Sequence, residues 1–499
     1  MEYVIGADLG TSAVKVILVN QIGELCGEAS RPFSIIQPHS GCSEQDPNEW
    51  TEKTKEAIKE LVEKSSVEAE QIKGISFSGQ MHGLVLLNRE GKVLRNAILW
   101  NDTRTTEQCR QIEDVIGKER LLKLVKNPAL EGFTLPKLLW VKEHEKELFE
   151  KAAVFLLPKD YVRFRMTGRI HSEYSDAAGT LLLDVKHKTW SKEICSGLGI
   201  PESICPELVE SGAFVGCLTP EFAAETGLSS HTKVFAGGAD NACGAVGAGI
   251  LKEGDALCSI GTSGVVLTYE SDPVQEFNGN IHFFNHAAPK AYYSMGVTLS
   301  AGQSLSWFKD VFAEHLSFDS LISELDDSQP GAGGLLFTPY LSGERTPHAD
   351  ADIRASFIGM DSSHKRADFV RAVIEGITFS LHESIEQFRA GGKEISRIIS
   401  IGGGAKSEKW LQIQADIFNA EIIRLTSEQG PAFGAAMLAS VGCGWFPTLE
   451  SCAGQFVHVK ETFTPRRAFS GRYQELFQIY RDVYRKTKSL NERLARFRM

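Results

Sequence analysis

A short glycine-containing phrase occurs twice in the chain, about half the sequence apart. The first copy spans residues 8–14 (DLGTSAV) and the second spans residues 259–265 (SIGTSGV). Each copy lies between two short apolar runs, which predicts a β-hairpin with Gly, Thr and Ser at its turn. Glycine lets a ligand approach the backbone closely, and successive N–H groups and two hydroxyls can then bind an anion. Two matching hairpins predict a duplicated fold whose halves hold one polyphosphate from both sides.

The two copies differ in their charged residues. The first has Asp8 and Lys15, where the second has Ser259 and Val266. A bare carboxylate would be repelled by phosphates, at about 4 kcal/mol per charge pair at ~4 Å and an effective dielectric of ~20. The presence of Asp8 beside the predicted phosphate site therefore indicates a bound cation. Mg²⁺ held through one carboxylate and waters is the usual partner of a nucleoside triphosphate. The alternative is that Asp8 only orders the turn.

Length and composition predict a globular protein of two domains. The chain has 499 residues, more than one core usually serves, and we place the boundary near residue 250, between domains 1–249 and 250–499. Its composition is 42% hydrophobic and 23% charged, which is typical of globular proteins. The net charge of −11 argues against a nucleic-acid partner.

The sequence also predicts a cytoplasmic location. It begins directly with an apolar run at residues 3–5, with no secretory leader and no apolar run long enough to span a membrane. The ten cysteines are scattered, without zinc-binding spacing, and are interpreted as reduced, buried, apolar residues.

Strand patterns alternate with helical patterns along most of the chain, which predicts an α/β fold. In the first half we expect strands at 72–78, 83–87 and 233–236, and helices at 47–63, 135–149 and 241–249. In the second half we expect a strand at 398–401 and helices from 407, over 432–440 and over the last thirty residues. The aromatic stripe of the final helix is expected to face the core.

Asp240 is the second acidic candidate. It follows a strand and two glycines at the start of a helix, where functional groups of α/β sheets collect. There it could be the general base that receives a hydroxyl proton during phosphoryl transfer. Asn241 beside it could bind the substrate. The alternative is that Asp240 only caps the helix.

Three further segments concentrate polar or glycine residues. Residues 78–83 (SGQMHG) offer an amide and the His82 imidazole to a hydroxyl-rich ligand, although a histidine there can also be structural. Residues 402–405 (GGGA) would let an adenine ring lie against backbone, unless they form a bare turn. Residues 340–347 (YLSGERTP) are polar, and a structural role for their Glu-Arg pair remains open.

Together these segments resemble the FGGY family of carbohydrate kinases. The resemblance covers nearly the whole chain and includes the two signature regions of the family. The motifs that carry it are DLGTS at 8–12, FTLPKLLW at 133–140, GGADN at 237–241, GTSG at 261–264, ASFIG at 355–359 and GGG at 402–404. Ala239 stands where many members have glycine, and Cys42 where many have tryptophan.

This resemblance implies two ribonuclease H-like, actin-like domains flanking a central cleft in which ATP and sugar meet. Asp240 then matches the catalytic base, Asp8 the acid near Mg²⁺, and Met81 and His82 the sugar-contacting pair, with Asn241 beside them. The residues expected to bind ATP are Gly10, Thr11, Ser12 and Lys15 of the first hairpin and, on ATP-contacting motifs, Gly261, Thr262, Gly302, Gly403 and Gly404.

Within the family, several short segments resemble those of the members that phosphorylate xylulose. They are residues 43–47, 79–83, 157–161, 175–180 and 339–348. The resemblance implies ATP-dependent phosphorylation of D-xylulose to D-xylulose 5-phosphate, with a homodimer among the oligomeric states left open. One alternative is a kinase of the same family for ribulose, gluconate or another polyol. A remote alternative is an actin-like, nucleotide-gated chaperone or filament protein.

Overall fold

The computed structural model describes residues 1–273, 277–427 and 429–498. The first half opens with the predicted hairpin and alternates strands with helices. Its strands are β1 (Tyr3–Leu9), β2 (Ala13–Asn20), β3 (Leu25–Pro32), β4 (Glu44–Gln45), β5 (Ile72–Gly79), β6 (Val85–Leu87), β7 (Ala97–Ile98), β8 (Val154–Leu156), β9 (Ser172–Glu173), β10 (Leu183–Asp184), β11 (Thr189–Trp190), β12 (Leu208–Val209), β13 (Phe214–Cys217), β14 (Lys233–Phe235) and β15 (Gly238–Ala239). Its helices are α1 (Pro47–Ser65), α2 (Thr106–Ile116), α3 (Lys118–Val125), α4 (Thr134–His144), α5 (Lys146–Lys151), α6 (Pro158–Thr167), α7 (Tyr174–Ala177), α8 (Lys192–Gly197), α9 (Pro220–Thr226) and α10 (Asp240–Gly247).

The second half opens with the second predicted hairpin. Its strands are β16 (Asp255–Ile260), β17 (Gly264–Glu270), β18 (His282–Asn285), β19 (Tyr292–Thr298), β20 (Leu336–Thr338), β21 (Ser356–Ile358), β22 (Arg397–Gly402), β23 (Glu421–Leu425) and β24 (Val459–Phe463). Its helices are α11 (Gly302–Phe312), α12 (Phe318–Ser323), α13 (Arg366–Ala390), α14 (Glu408–Phe418), α15 (Pro431–Gly442), α16 (Leu449–Phe456) and α17 (Arg467–Ala495).

The two halves repeat one sheet topology. The first sheet has the order β13-β14-β5-β1-β2-β3, with β15 also pairing with β5, and the second has the order β24-β23-β22-β16-β17-β19-β18. In each, the first hairpin strand is antiparallel to its hairpin partner and parallel to the strand on its other side. This arrangement confirms the predicted α/β architecture of two ribonuclease H-like, actin-like domains, while the boundary near residue 250 stays a prediction.

Two helices at equivalent places in the repeat pack against each other between the sheets. Helix α10 contacts α15, and α15 also lies on β1 and β5 of the first sheet. Their backbones approach so closely that a Cβ atom on Gly434 would lie 1.9 Å from the Cys243 carbonyl oxygen. Only glycine fits at that position. The hydrophobic core continues through these helices and joins residues of both sheets.

Most of the predicted helices and strands are present, with one clear correction. The Asp46 side chain caps α1 by accepting the Asn48 N–H at 2.9 Å. The single helix predicted over 135–149 is wrong, because Glu145 leaves helical geometry (φ −128°, ψ 53°) and separates α4 from α5. In α17 the aromatic stripe faces the core as predicted, with Tyr473, Phe477 and Tyr480 buried.

The sequence also predicted that the cysteines are buried and reduced and that no segment spans a membrane. All ten cysteines lie in the described ranges and are free thiols, but Cys26 and Cys217 are exposed, so the prediction of uniform burial is wrong. Among the described residues, no helix has the length and apolarity to cross a membrane.

Candidate active site

The carboxyl ends of neighbouring strands bring the two acidic candidates to one edge of the first sheet. Asp8 lies opposite Ser78 of the parallel strand β5, and Ser78 Oγ donates to Asp8 Oδ1 at 2.8 Å. On the other side of β5, Gly238 also lies opposite Ser78, two residues before Asp240. Asp8 and Asp240 therefore flank the same strand end, where α/β sheets place their functional groups.

Asp240 is partly buried at the first position of α10. Its Oδ1 accepts the N–H and the Nδ2–H of Asn241 at 2.7 and 2.9 Å, which stabilise the ionised form. Burial, followed by the negative charge of Asp8, outweighs these bonds and raises the pKa of Asp240 to about 7. A carboxylate with such a pKa can accept a proton near neutral pH.

The carboxyl group of Asp8 is also buried, which disfavours its ionised form. Burial raises its pKa, although the Ser78 hydroxyl and the Lys15 charge act in the opposite direction. Two carboxylates with raised pKa values at one strand end form a region of negative potential that a cation would relieve.

Met81 lies directly beside these groups. Its side chain is buried, and its sulfur accepts from Asn241 Nδ2 and from the Tyr293 hydroxyl, each at 3.8 Å. The structure thus joins Met81, Asn241 and Asp240, as the sequence predicted, and adds Tyr293 from the second half of the chain. Tyr293 was missed because its partner lies 212 residues away in sequence.

His82 is held as a neutral imidazole. Its Nδ1 lies 2.6 Å from the Gly179 carbonyl oxygen, which can only accept, so Nδ1 carries the proton and Nε2 is left as an acceptor. Burial lowers the pKa of His82 to about 3. Its ring packs against Phe133 at a centroid distance of 4.5 Å. The ring therefore presents an acceptor nitrogen within an aromatic wall.

Lys137 fixes the backbone of the same loop, a role that the sequence did not reveal. Its buried ammonium donates to the carbonyl oxygens of His82 at 2.9 Å and Gly132 at 2.7 Å, and Thr134 Oγ1 donates to His82 at 3.1 Å. Burial lowers the pKa of Lys137 to about 7. Lysine and threonine of the 133–140 segment thus shape the loop that carries Met81 and His82.

The tip of the first hairpin is held by side chains. Thr11 Oγ1 accepts the Trp100 indole N–H at 2.8 Å and donates to Gln80 Oε1 at 3.3 Å, while the Thr11 carbonyl accepts from Gln45 Nε2 at 2.8 Å. Gly10 closes the turn through its N–H to the Ala13 carbonyl at 3.0 Å. The bonds of Thr11 to Trp100, Gln80 and Gln45 were not predicted from the sequence, because these partners come from distant segments.

The other two residues predicted at this hairpin differ in their contacts. The Ser12 carbonyl accepts the Phe33 N–H at 2.8 Å. The Lys15 ammonium donates to Gln429 Oε1 at 2.7 Å and lies 3.1 Å from Glu28 Oε2. Lys15 therefore connects the first hairpin to the segment that precedes α15 of the second half, and its charge also reaches Asp8.

The second hairpin opens onto a cavity of about 970 Å³, within the range of ligand-binding pockets. All five residues of the second half that the sequence analysis assigned to ATP binding line this cavity. They are Gly261, Thr262, Gly302, Gly403 and Gly404. The cavity is also lined by residues of α11, α12 and α14 that the sequence did not single out. They are Gln303, Leu305, Ser306, Phe318, Asp319, Ile322, Ser323, Glu408, Lys409 and Trp410.

The backbone fixes the shape of this second turn. The N–H groups of Ala301 and Gln303 donate to the Thr262 carbonyl at 2.9 and 3.1 Å, and Gly302 N–H donates to the Gly261 carbonyl at 2.8 Å. A Cβ atom on Gly302 would lie 2.5 Å from that carbonyl oxygen, so glycine is required for the approach. The hairpin and the N-terminus of α11 consequently form one continuous wall of the cavity.

Comparisons with known proteins agree with this geometry. Residues 3–247 match the N-terminal domain, and residues 256–443 the C-terminal domain, of the FGGY family of carbohydrate kinases. The chain is 60% identical over 498 residues to the xylulose kinase of Bacillus subtilis (strain 168), covering 100% of both chains. Two solved structures from Lactobacillus acidophilus are similar: ligand-bound xylulose kinase (TM-score 0.94, 27% identity, 99% of this chain and 100% of that one) and gluconate kinase (TM-score 0.92, 28% identity, 97% and 98%).

A duplicated actin-like fold, an acidic strand end and a cavity built from glycine turns define an ATP-dependent carbohydrate kinase. The family matches and the full-length relatives agree with that class. The chain belongs to the FGGY family of carbohydrate kinases, and its reaction is the phosphorylation of a sugar.

Proposed function

We propose that the chain transfers the γ-phosphoryl group of ATP to D-xylulose and releases D-xylulose 5-phosphate and ADP. One observation carries the sugar assignment: the relative with 60% identity over the full length is a xylulose kinase. The contacts among Met81, Asn241 and Asp240 support it, because the Asn241 amide lies beside the acid and His82 follows Met81 in the same loop.

In this proposal Asp240 is the general base. It takes the proton of the sugar O5 hydroxyl as O5 forms a bond to the γ-phosphorus and the bond from that phosphorus to the β,γ-bridging oxygen breaks. The electron pair of the broken bond leaves with ADP. Burial of Asp240 keeps its pKa near 7, so a base is present at neutral pH and can hold the proton after transfer.

Asp8 is the residue proposed to hold Mg²⁺. The donor set fits the ion, because Asp8 supplies one carboxylate at the strand end that Asp240 also flanks, and one carboxylate completed by phosphate and water oxygens is the usual protein contribution. Among the described residues, no three acidic, His or Cys side chains come together to form a larger metal site. When bound, Mg²⁺ would neutralise charge on the phosphates.

The remaining site residues are proposed to position ATP and sugar. Gly10, Thr11, Ser12 and Lys15 would face the phosphates from the first half, and the cavity of the second half would hold the nucleoside. Closure of the two halves on the sugar would exclude water, which otherwise competes as an acceptor. Assembly as a homodimer and a cytoplasmic location stay predictions.

A second candidate is a gluconate kinase, which the structural similarity to the gluconate kinase from Lactobacillus acidophilus favours. ADP release would be measured with D-xylulose, D-ribulose, L-ribulose and gluconate at equal concentrations. We expect the highest kcat/KM with D-xylulose. A higher value with gluconate or with either ribulose would replace the proposed sugar and leave the kinase assignment in place.

The role of Asp240 is tested with Asp240→Asn and Asp240→Ala. We expect kcat to fall at least ~100-fold, about 2.7 kcal/mol, with ATP binding retained, because the base is lost and the nucleotide cavity is untouched. ATP binding is checked by calorimetry. Near-normal turnover of either variant would remove Asp240 from the mechanism.

A further inference from the structure

A cluster of five charged side chains lies behind Asp240, completely shielded from solvent. The Lys159 ammonium lies 2.7 Å from Asp160 Oδ1, 3.2 Å from Glu173 Oε1 and 3.1 Å from Asp176 Oδ2, and Arg163 Nη1 lies 2.9 Å from Asp160 Oδ1. The side chains of all five are 0% exposed. None of them contacts the proposed reacting groups directly.

The cluster holds three carboxyl groups and two cations. Burial raises the pKa of Asp176 well above its usual value, while Lys159 and Arg163 keep the pKa of Asp160 low. Three acidic side chains thus share two cations, and burial disfavours the charged form of Asp176. A buried ionic cluster is nevertheless weak evidence for stability, because apolar residues of the same volume often serve as well or better. Its contacts suggest a different role.

Two hydrogen bonds connect the cluster to the segment that carries Asp240. Arg163 Nη1 donates to the Ala236 carbonyl at 2.6 Å. Ser175 Oγ donates its one proton to the Glu173 carboxylate, whose two oxygens lie 2.9 and 2.8 Å away, and accepts the Ala239 N–H at 3.0 Å. The segment 236–239 is thus held at both ends, and its last residue directly precedes Asp240.

We propose that Ser175 and Arg163, anchored by this buried ionic cluster, are positioning residues that set the place of the Asp240 carboxylate relative to the sugar hydroxyl. The inference rests on the proposed role of Asp240 as base. A misplacement of about 1 Å at a reacting group can cost ~100-fold in rate, so a rigid support has a direct catalytic value. The cluster supplies that rigidity, because Lys159 holds three carboxyl groups at once and Asp160 joins Lys159 to Arg163.

Ser211 provides a matched control for Ser175. Its hydroxyl is buried like that of Ser175 and donates to the same carboxylate, Glu173 Oε2, at 2.8 Å. The Ser211 hydroxyl does not bond to 236–239; the contact of Ser211 with Gly237 is through its backbone carbonyl, which alanine retains. Ser175→Ala and Ser211→Ala therefore each remove one bond to Glu173, and only the first removes the bond to Ala239.

The experiment compares kcat, both KM values and the pH dependence of kcat/KM in the two variants. We expect Ser175→Ala to lower kcat about 10-fold with KM for ATP unchanged, because the loss is confined to the base. The acidic side of its kcat/KM–pH profile should move to lower pH. The reason is that release of the segment 236–239 lets water reach Asp240 and lowers the pKa of its carboxyl group. For Ser211→Ala, kcat should stay within ~2-fold of the parent value, and the kcat/KM–pH profile should not shift.

Arg163→Lys is the second variant, in case Ser175→Ala folds poorly. It keeps the charge and loses the planar fork that reaches Ala236, so the same fall in kcat and the same shift of the limb are expected. Equal behaviour of Ser175→Ala and Ser211→Ala, or an Arg163→Lys enzyme with unchanged kcat and pH profile, overturns the positioning role. Asp240→Asn separates the two hypotheses: if it retains turnover, the proposed base fails, and with it the inference.

Discussion

The two hairpins have the same Gly-Thr-Ser turn and are fixed in different ways. At the first, Thr11 is bonded to the side chains of Trp100 and Gln80, and a carboxylate stands two residues before Gly10. At the second, Thr262 is bonded to the backbone that starts α11, and Ser259 stands in place of the carboxylate. The second opens onto the large cavity.

This difference shows how a duplicated scaffold can divide one reaction between its copies. The repeat supplies two turns that approach an anion in the same way. The first half adds the acids Asp8 and Asp240 and, beside them, Met81 and Asn241, which we propose to face the sugar. Around the second turn, glycines and the N-terminus of α11 line the cavity that we propose for the nucleoside.

The largest effect is expected from the acid of the first hairpin. Asp8→Asn should lower kcat about 100-fold or more and raise the Mg²⁺ concentration needed for half-maximal rate, because the proposed ligand of the ion loses its charge. Ser259→Ala, at the equivalent place in the second copy, should change kcat less than ~3-fold. The rates are measured as ADP release over a Mg²⁺ titration. An Asp8→Asn enzyme with normal rate and normal Mg²⁺ dependence would reduce Asp8 to a turn residue.

The second hairpin should be sensitive to its backbone. In Gly302→Ala, the new Cβ would lie 2.5 Å from the Gly261 carbonyl oxygen, so α11 must move away from the turn. We expect KM for ATP to rise about 10-fold, with KM for D-xylulose within ~2-fold. Gly454→Ala is the control, because it lies in α16 outside the cavity and its Cβ would meet nothing within 4 Å. Equal effects of the two variants, or a loss confined to the sugar, would contradict this division of roles.

The buried carboxyl group of Asp240 should also lower the free energy of unfolding at alkaline pH. The pKa of Asp240 is raised to about 7, so its stabilising contribution is complete at low pH and is lost as the pH rises through 7. Asp240→Asn should therefore be more stable than the parent by up to about 4 kcal/mol at pH 8, and the gain should shrink towards pH 4–5. Thermal unfolding of the protein without ligands measures it. Ser259→Ala should show no pH-dependent gain, and a constant difference for Asp240→Asn would exclude the charge as its cause.

The sequence predicted the turns well and the long-range supports poorly. Gly261, Gly403 and Gly404 were singled out because they lie in turn motifs, which are local in sequence, whereas Gly302 was assigned only through the family resemblance. Lys137, Ser175 and Trp100 were not assigned a role, because their partners lie 55, 64 and 89 residues away. Nothing local distinguishes such a lysine or serine from one that is solvated. The break at Glu145 was missed for a similar reason, since the flanking residues favour helix on both sides.

The smallest effect is expected at the side-chain support of the first turn. Trp100 is 40% exposed, and its indole N–H bonds Thr11 Oγ1 at 2.8 Å. Trp100→Phe keeps an aromatic ring and loses the donor, which should cost about 0.5 kcal/mol, or a 2–3-fold fall in kcat/KM, because water can replace an exposed bond.

Thr11→Val and the double variant complete a cycle that isolates this contact. If the indole acts through Thr11, the double variant should lose less than the sum of the two single changes. The second turn, held by backbone alone at Thr262, offers the comparison: Thr262→Val should leave the effect of Trp100→Phe unchanged, so that those two losses simply add. Additivity in both pairs would mean that the Trp100–Thr11 bond does not support the first turn during turnover, and that the two copies are fixed more similarly than their contacts indicate.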